Sequence, residues 1–171
     1  MSTVPARPTA ASAMPVQGAV RHAEPSAQSL TALVHGFYAD VRADALLGPV
    51  FDAALHNRWE PHLARMVDFW STVALGSKSF KGNVFTKHMA LTGVTPAHFA
   101  AWVRLWGEHT ERRFAPEVAQ GLQVAAHGIA RNLFQGYFGS KPVFAQSAAA
   151  EDGVEHGHGT HGAAHEGAPA A

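Results

Sequence analysis

The stretch that decides the fold is LTALVHGFYADV, residues 30 to 41. Its apolar side chains recur at i, i+3, i+4, i+7, i+8 and i+11, which is the period of one helical face. These side chains are Leu30, Leu33, Val34, Phe37, Tyr38 and Val41. No segment of the chain alternates between apolar and polar residues over a useful length, as a strand would. The pattern therefore predicts a helix with one buried face and indicates an all-α protein.

Four main helices and some shorter pieces are expected. Gly48-Pro49 predicts a break after the first helix. Asn57, with Glu60 three residues later, has the pattern of a capping box and predicts the start of a second helix. That helix carries an apolar face with Trp59, His62, Leu63, Met66, Phe69, Trp70 and Val73, and it is expected to end at Gly76.

The second half of the folded part gives further helix signals. The segment from 77 to 94 contains Gly82 and Gly93 and supports a short helix near 84–91. Thr95-Pro96 predicts an N-cap followed by proline at the first helical position, and Pro116 opens a last, long helix.

Both ends of the chain have the composition of tails. Residues 1–26 are rich in Ala, Pro, Ser and Thr without periodicity, which predicts a disordered arm. Residues 141–171 are rich in Ala, Gly and His and are expected to form a disordered tail. This leaves one domain, residues 27–140.

Composition excludes several classes of function. The 171 residues include 13 basic and 13 acidic side chains, and this balance argues against nucleic acid as a partner. No cysteine is present, which excludes disulfides, iron–sulfur clusters and thiol catalysis. No apolar run approaches the ~18 residues of a membrane span, and the first twenty residues lack a secretory signal, so we expect a cytoplasmic protein without a membrane partner.

Several inward positions of the predicted helices have polar tips. His62 lies in the apolar arc of the second helix, while Tyr38 and Trp102 lie on the buried faces of two others. An unsatisfied polar group costs ~1–3 kcal/mol when buried, and a cavity holding a small polar ligand would satisfy all three. Taken singly, each is more often a core residue. His88 stands in a short segment between glycines, which suits a chain laid against a large flat cofactor.

Together these segments resemble a truncated haemoglobin of the third group. The resemblance lies in FYADVRADALLGPVF (37–51), in the spacing Trp59–His62–Met66–Phe69-Trp70, and in His88 followed by Phe99 and Trp102. It covers about residues 30 to 139. His62 and His88 are 26 residues apart, His88 and Trp102 are 14 apart, and both separations suit that group.

The resemblance implies a shortened globin, with two helices stacked across two, that holds one haem b. By position, His88 resembles the proximal iron ligand, and Tyr38, His62 and Trp102 resemble the distal residues that face a bound gas. Arg65 resembles a residue that pairs a haem propionate, with a solvated surface arginine as the alternative. The resemblance assigns the apolar walls to Phe37, Phe51, Met66, Phe69, Trp70, Phe85 and Phe99, while Trp106 exceeds the pattern and is expected to pack between helices.

The implied function is reversible binding of O2, CO, NO or a similar gas, as in an oxygen-carrying globin of bacterial type. Two donors, each stabilising a polar ligand by ~0.5–1.5 kcal/mol, would slow the release of oxygen by one or two decades. The enzyme alternative is a haem-dependent NO dioxygenase or peroxidase with a reductase partner. A monomer or weak dimer is expected. A haem-free helical regulator would instead leave His62 and His88 as ordinary core residues.

The tail contains a second cluster of histidines: His156, His158, His161 and His165. Closely spaced imidazoles bind zinc, nickel or copper, so these four are candidate ligands for a divalent metal, though a weak site without fixed geometry. They leave open a third class of function, metal buffering through the tail, with the helical domain as a scaffold.

Overall fold

The computed structural model of the chain describes residues 21–142. Within this range it contains six α-helices and no β-strand, so the all-α prediction is confirmed. The helices are α1 (Ala27–Ala43), α2 (Leu47–Leu55), α3 (Trp59–Leu75), α4 (Val84–Met89), α5 (Pro96–Arg113) and α6 (Pro116–Phe138). Four are long and two are short, as the periodicity indicates.

Local capping explains where two of the long helices, α1 and α5, begin. Ser26 precedes α1, and its hydroxyl accepts from the Ser29 N–H at 3.1 Å, while the Ser26 N–H donates to the Ser29 hydroxyl at 2.8 Å. Thr95 caps α5 in a similar reciprocal pattern with His98. Both devices satisfy N–H groups that the first turn of a helix leaves without intrahelical partners.

The start of α3 differs from the predicted capping box. Asn57 is not the N-cap, because the helix begins at Trp59 and Arg58 takes the cap position without a side-chain hydrogen bond. His56 and Asn57 both have left-handed backbone conformations, with φ of 47° and 64°. These two residues end α2 and reverse the chain into α3, so they form a turn rather than a cap.

A break follows the first helix as predicted, but it lies at residues 44–46, and Gly48 and Pro49 are in the first turn of α2. Proline is tolerated there because that turn leaves N–H groups without partners in any case. Asp44 lies in the turn before α2, and its side chain accepts from the N–H groups of Leu46 and Leu47 at 2.8 and 2.9 Å. These two hydrogen bonds, the largest cause, hold the pKa of Asp44 below its usual value.

The helices form two packed pairs, α1 with α3 and α5 with α6, joined by contacts between α1 and α5. This is the two-over-two arrangement expected from the sequence. Trp70 of α3 and Trp106 of α5 stack at 4.1 Å in the middle of the core, and both are almost completely buried. The Trp106 indole N–H donates to the Leu122 carbonyl at 3.3 Å. Trp106 therefore packs between helices, as predicted.

His22, which lies within the predicted N-terminal arm, pairs with the turn between α5 and α6. The His22 N–H donates to the Arg113 carbonyl at 2.8 Å, and the Ala115 N–H donates to the His22 carbonyl at 2.9 Å. The His22 ring also packs on Phe114 at 5.9 Å. This parallel bridge ties the segment before α1 to the turn between α5 and α6. In residues 21–142 no helix is both long and apolar enough to cross a bilayer.

Candidate functional site

A cavity of about 530 Å³ lies among the helices, and every one of the six contributes to its wall. Its volume falls within the ~300–1,000 Å³ of small-molecule and cofactor sites. Apolar side chains make up most of the wall, and a few polar side chains line the rest. These polar groups decide what the cavity can bind.

His88 lies on this wall, near the end of α4. Its Nδ1 is 2.7 Å from the Val84 carbonyl, one turn earlier in the same helix. Because that carbonyl only accepts, Nδ1 carries the proton and Nε2 is left with a free lone pair. An imidazole oriented in this way is prepared to bind a metal ion through Nε2.

Tyr38 and Trp102 contribute two hydrogen-bond donors to the same cavity. Tyr38 is 5% exposed, and burial raises the pKa of its hydroxyl, so the group stays protonated. Among residues 21–142, neither the Tyr38 hydroxyl nor the Trp102 indole N–H has a hydrogen-bond partner. Both donors are therefore free for a polar ligand.

His62 of α3 packs edge-on against Tyr38, with 5.0 Å between the ring centroids. Its Nε2 is buried and has no hydrogen-bond partner within residues 21–142. Burial is the main cause that lowers the pKa of His62 to about 4, and electrostatic interactions with His88 and Arg65 lower it further. The imidazole is thus neutral at pH 7, with one N–H to donate and one lone pair to accept.

Five of the seven side chains that the resemblance assigns to apolar walls line this cavity. The wall includes Phe51, Met66, Phe69, Trp70 and Phe99.

Phe37 is not on the wall. It is completely buried on the neighbouring face of α1, where its ring meets Trp102 at 5.6 Å and Trp106 at 4.9 Å. Phe37 therefore supports the Trp102 ring from behind.

Phe85 is also placed elsewhere, since it is 44% exposed and lies on the face of α4 that packs against α6. It borders a smaller hollow of about 180 Å³ near Asn132 of α6. Helix α4 has only six residues, so its apolar pattern is too short to fix which face points inward.

The cavity edge carries a set of basic side chains. Arg65, the candidate partner of a haem propionate, lines the cavity, and its guanidinium lies over the Phe80 ring at 5.8 Å. The structure adds Arg58, Lys87 and His98, which the sequence reading missed because each looks like a surface residue. No carboxylate is among the lining side chains, so this edge favours an anionic group.

Two comparisons bear on this arrangement. The group 3 truncated hemoglobin ctb of Campylobacter jejuni subsp. jejuni serotype O:2 is 29% identical over 109 residues, which cover 62% of this chain and 86% of that protein. The crystal structure of the group III truncated hemoglobin from Campylobacter jejuni aligns with a TM-score of 0.67 at 25% identity. The alignment covers 70% of this chain and 96% of that one. The fold is that of a group III truncated haemoglobin. No protein-family model matches the chain.

The family resemblance drawn from the sequence is thus confirmed. In this truncated-haemoglobin fold, α4 and α3 bring His88 and His62 to one cavity although 26 residues separate them. Helices α1 and α5 add Tyr38 and Trp102. One imidazole with a free nitrogen, three further polar groups and a basic edge can together hold a flat, apolar ligand that has a metal centre and acidic substituents.

The histidines of the tail, His156, His158, His161 and His165, lie outside the described residues. Within residues 21–142, no three His, Asp or Glu side chains are grouped to hold a metal ion.

Proposed function

We propose that this chain is a haem protein that binds diatomic gases at a polar distal pocket. The observation that carries the proposal is His88, whose Nδ1 is bound to a backbone carbonyl while its other nitrogen is available on the cavity wall. Haem b, iron protoporphyrin IX, would supply an iron centre that binds a gas. His88 would hold that iron, and the carbonyl of Val84 would fix the tautomer and the ring orientation.

Arg58, Arg65, Lys87 and His98 would hold the acidic edge of the haem. They line the cavity without any carboxylate among them, and long basic side chains pair well with carboxylates near a surface. The apolar wall residues would contact the macrocycle, and Trp70, stacked on Trp106, would give that wall a rigid backing.

Tyr38, Trp102 and His62 would face the bound gas. A bound oxygen molecule would carry more negative charge than bound carbon monoxide and would therefore gain more from hydrogen-bond donors. The free O–H of Tyr38 and N–H of Trp102 therefore favour oxygen and slow its release. We propose oxygen binding of this slow type rather than delivery across ordinary oxygen gradients.

His62 supports a second candidate function, peroxidase-type or NO-dioxygenase chemistry with a reductase as the electron source. Its Nε2 is buried and unpartnered, and its pKa of about 4 leaves it neutral at pH 7. A neutral imidazole beside a bound ligand can take up or return a proton at that atom.

The assignment of residues 27–140 as the folded unit, with a tail on each side, belongs to the same proposal. A cytoplasmic monomer or weak dimer is the state in which we expect it to work.

Absorption spectra of the protein expressed with haem available test the proposal. We expect a Soret band that shifts on reduction and sharpens under carbon monoxide. His88→Ala should lose haem or retain it with a changed spectrum, whereas His35→Ala, which alters an exposed histidine of α1, should match the wild type. An unchanged spectrum in His88→Ala would refute the iron-ligand assignment, and a wild type without stoichiometric haem would refute the haem proposal as a whole.

A further inference from the structure

Helix α4 carries the proposed iron ligand but has little to hold it in place by itself. It spans six residues, and none of its side chains is fully buried. Asn83 caps it, with Oδ1 accepting from the Thr86 N–H at 2.9 Å. Helices this short are marginal in water, so the position of α4 must come from its packing against another element. That element is the C-terminal part of α6.

Gly136 of α6 allows α4 to approach closely. A Cβ at this position would lie 2.7 Å from the Phe85 ring and 2.8 Å from the sulfur of Met89. Phe85 and Met89 are four residues apart on α4 and so share one face. Their side chains occupy the space that any larger residue at position 136 would need, and α4 therefore lies directly on the α6 backbone.

Tyr137, the next residue, reaches α4 through a hydrogen bond. Its hydroxyl donates to the carbonyl of His88, which also accepts from the Leu91 N–H at 2.9 Å. The Tyr137 ring is half-buried and packs on Phe99 of α5 at 5.9 Å, so the donor itself has a fixed position. His88 is thus constrained twice, through its ring by Val84 and through its backbone by Tyr137.

We propose that Gly136 and Tyr137 are positioning residues for His88. Gly136 sets how close α4 comes to α6, and Tyr137 sets the orientation of the end of α4 that bears His88. Together they fix the direction of the His88 imidazole into the cavity. This inference rests on the proposed function, in which that imidazole binds the haem iron.

The test compares three full-length variants with the wild type. Tyr137→Phe keeps the ring and removes the donor, and Gly136→Ala adds the obstructing methyl group. Gly128→Ala is the matched control, because it lies in the same helix and nothing stands within 4 Å of the added Cβ. Each variant is measured for the iron–histidine stretching band of its ferrous form, for the rate of haem transfer to excess apomyoglobin, and for the thermal unfolding of its apo-protein.

We expect Tyr137→Phe to shift the iron–histidine band and to speed haem loss about threefold, as the loss of one hydrogen bond predicts. Gly136→Ala should also shift the iron–histidine band and should speed haem loss about tenfold, because the crowded contact between α4 and α6 must relax. Gly128→Ala should leave both quantities unchanged and raise the unfolding temperature, because alanine favours the helix. A different result would overturn the proposal: Tyr137→Phe and Gly136→Ala lower the stability of the apo-protein but leave the iron–histidine band and the rate of haem loss unchanged. Such a result would show that the two residues have a structural role only.

A haem-free measurement separates this inference from the proposed function. In apo-protein labelled with 15N-histidine, the His88 ring signals, assigned with His88→Ala, should move in Tyr137→Phe and Gly136→Ala but not in Gly128→Ala. If the wild type binds no haem, these signals still decide the positioning role. Unmoved His88 signals in both variants would overturn it even where haem binds.

Discussion

The three polar groups opposite His88 differ in what their surroundings leave free. Tyr38 has a protonated hydroxyl, because burial raises its pKa. Trp102 has an N–H that cannot ionise or accept. His62 has a neutral ring whose buried Nε2 has no partner. Tyr38 and Trp102 stabilise a negatively polarised ligand by donating a hydrogen bond to it, whereas His62 can also exchange a proton.

Removing either fixed donor should speed the release of oxygen. We expect Tyr38→Phe and Trp102→Phe each to raise the oxygen dissociation rate about three- to tenfold, the worth of one neutral hydrogen bond. Flash photolysis and stopped-flow mixing measure the rate, and carbon monoxide release should change less in the same variants. Equal changes for the two gases would show that the substitutions act through pocket shape rather than through hydrogen bonding.

The low pKa of His62 predicts a pH-dependent stability of the apo-protein. The unfolded chain binds a proton at this residue below pH ~6.5, but the folded chain does so only below about 4. The contribution of His62 to the free energy of unfolding is therefore complete above pH 6.5. About 3 kcal/mol of it is lost as the pH falls towards 4. Urea unfolding at several pH values measures this loss.

His62→Leu provides the comparison, since it removes the titrating ring and leaves His109 and His127 as they are. Its free energy of unfolding should fall by less between pH 6.5 and pH 4. Parallel pH profiles for the wild type and the variant would contradict the assigned pKa.

Periodicity predicted the elements with long apolar faces, and it failed where a short segment depends on its neighbours. Helices α1, α5 and α6 each contain four or more turns, so their buried faces are evident from sequence. Helix α2 was missed because Gly48-Pro49 reads as a break, although proline fits a first helical turn. The sequence around His56 and Asn57, which have left-handed backbone conformations, fits an N-cap as well as it fits a turn.

Periodicity also predicted only those residues of the candidate site that lie on long apolar faces. His62, Tyr38 and Trp102 lie on long apolar faces, where a polar tip is conspicuous. Lys87 and His98 follow no apolar pattern, and only the packed helices bring them to the cavity. Tyr137 donates to a residue 49 positions away, so no local pattern could reveal the contact.

Gly48 shows how closely α2 approaches α1. A Cβ at this position would lie 2.6 Å from the Arg42 carbonyl oxygen, and backbone atoms cannot move aside easily. We expect Gly48→Ala to lower the free energy of unfolding by about 2 kcal/mol, as overpacking does. Chemical denaturation measures it. Gly121→Ala, an open helical position, should gain up to about 1 kcal/mol, and equal behaviour of the two variants would contradict the close approach.

In the whole molecule, one pair of stacked tryptophan rings belongs both to the core and to the packing behind the cavity wall. The stacked Trp70 and Trp106 join the α1–α3 pair to the α5–α6 pair, and the Trp70 ring also forms part of the cavity wall. Trp106→Ala should therefore cost about 3–5 kcal/mol of stability and weaken haem retention together. Calorimetry and haem-transfer rates measure the two effects, and a stable variant that retains haem normally would contradict this shared role.

Removal of the tail separates the gas-binding function from the metal-buffering function. All residues proposed to hold the haem precede Ser140, so a chain ending there should keep the wild-type spectrum and haem-loss rate. Its zinc binding, measured by calorimetric titration, should fall sharply because His156, His158, His161 and His165 are gone. Loss of haem from the shortened chain would show that the tail contributes to the haem site. Unchanged zinc binding would instead place the metal ligands within the helical domain.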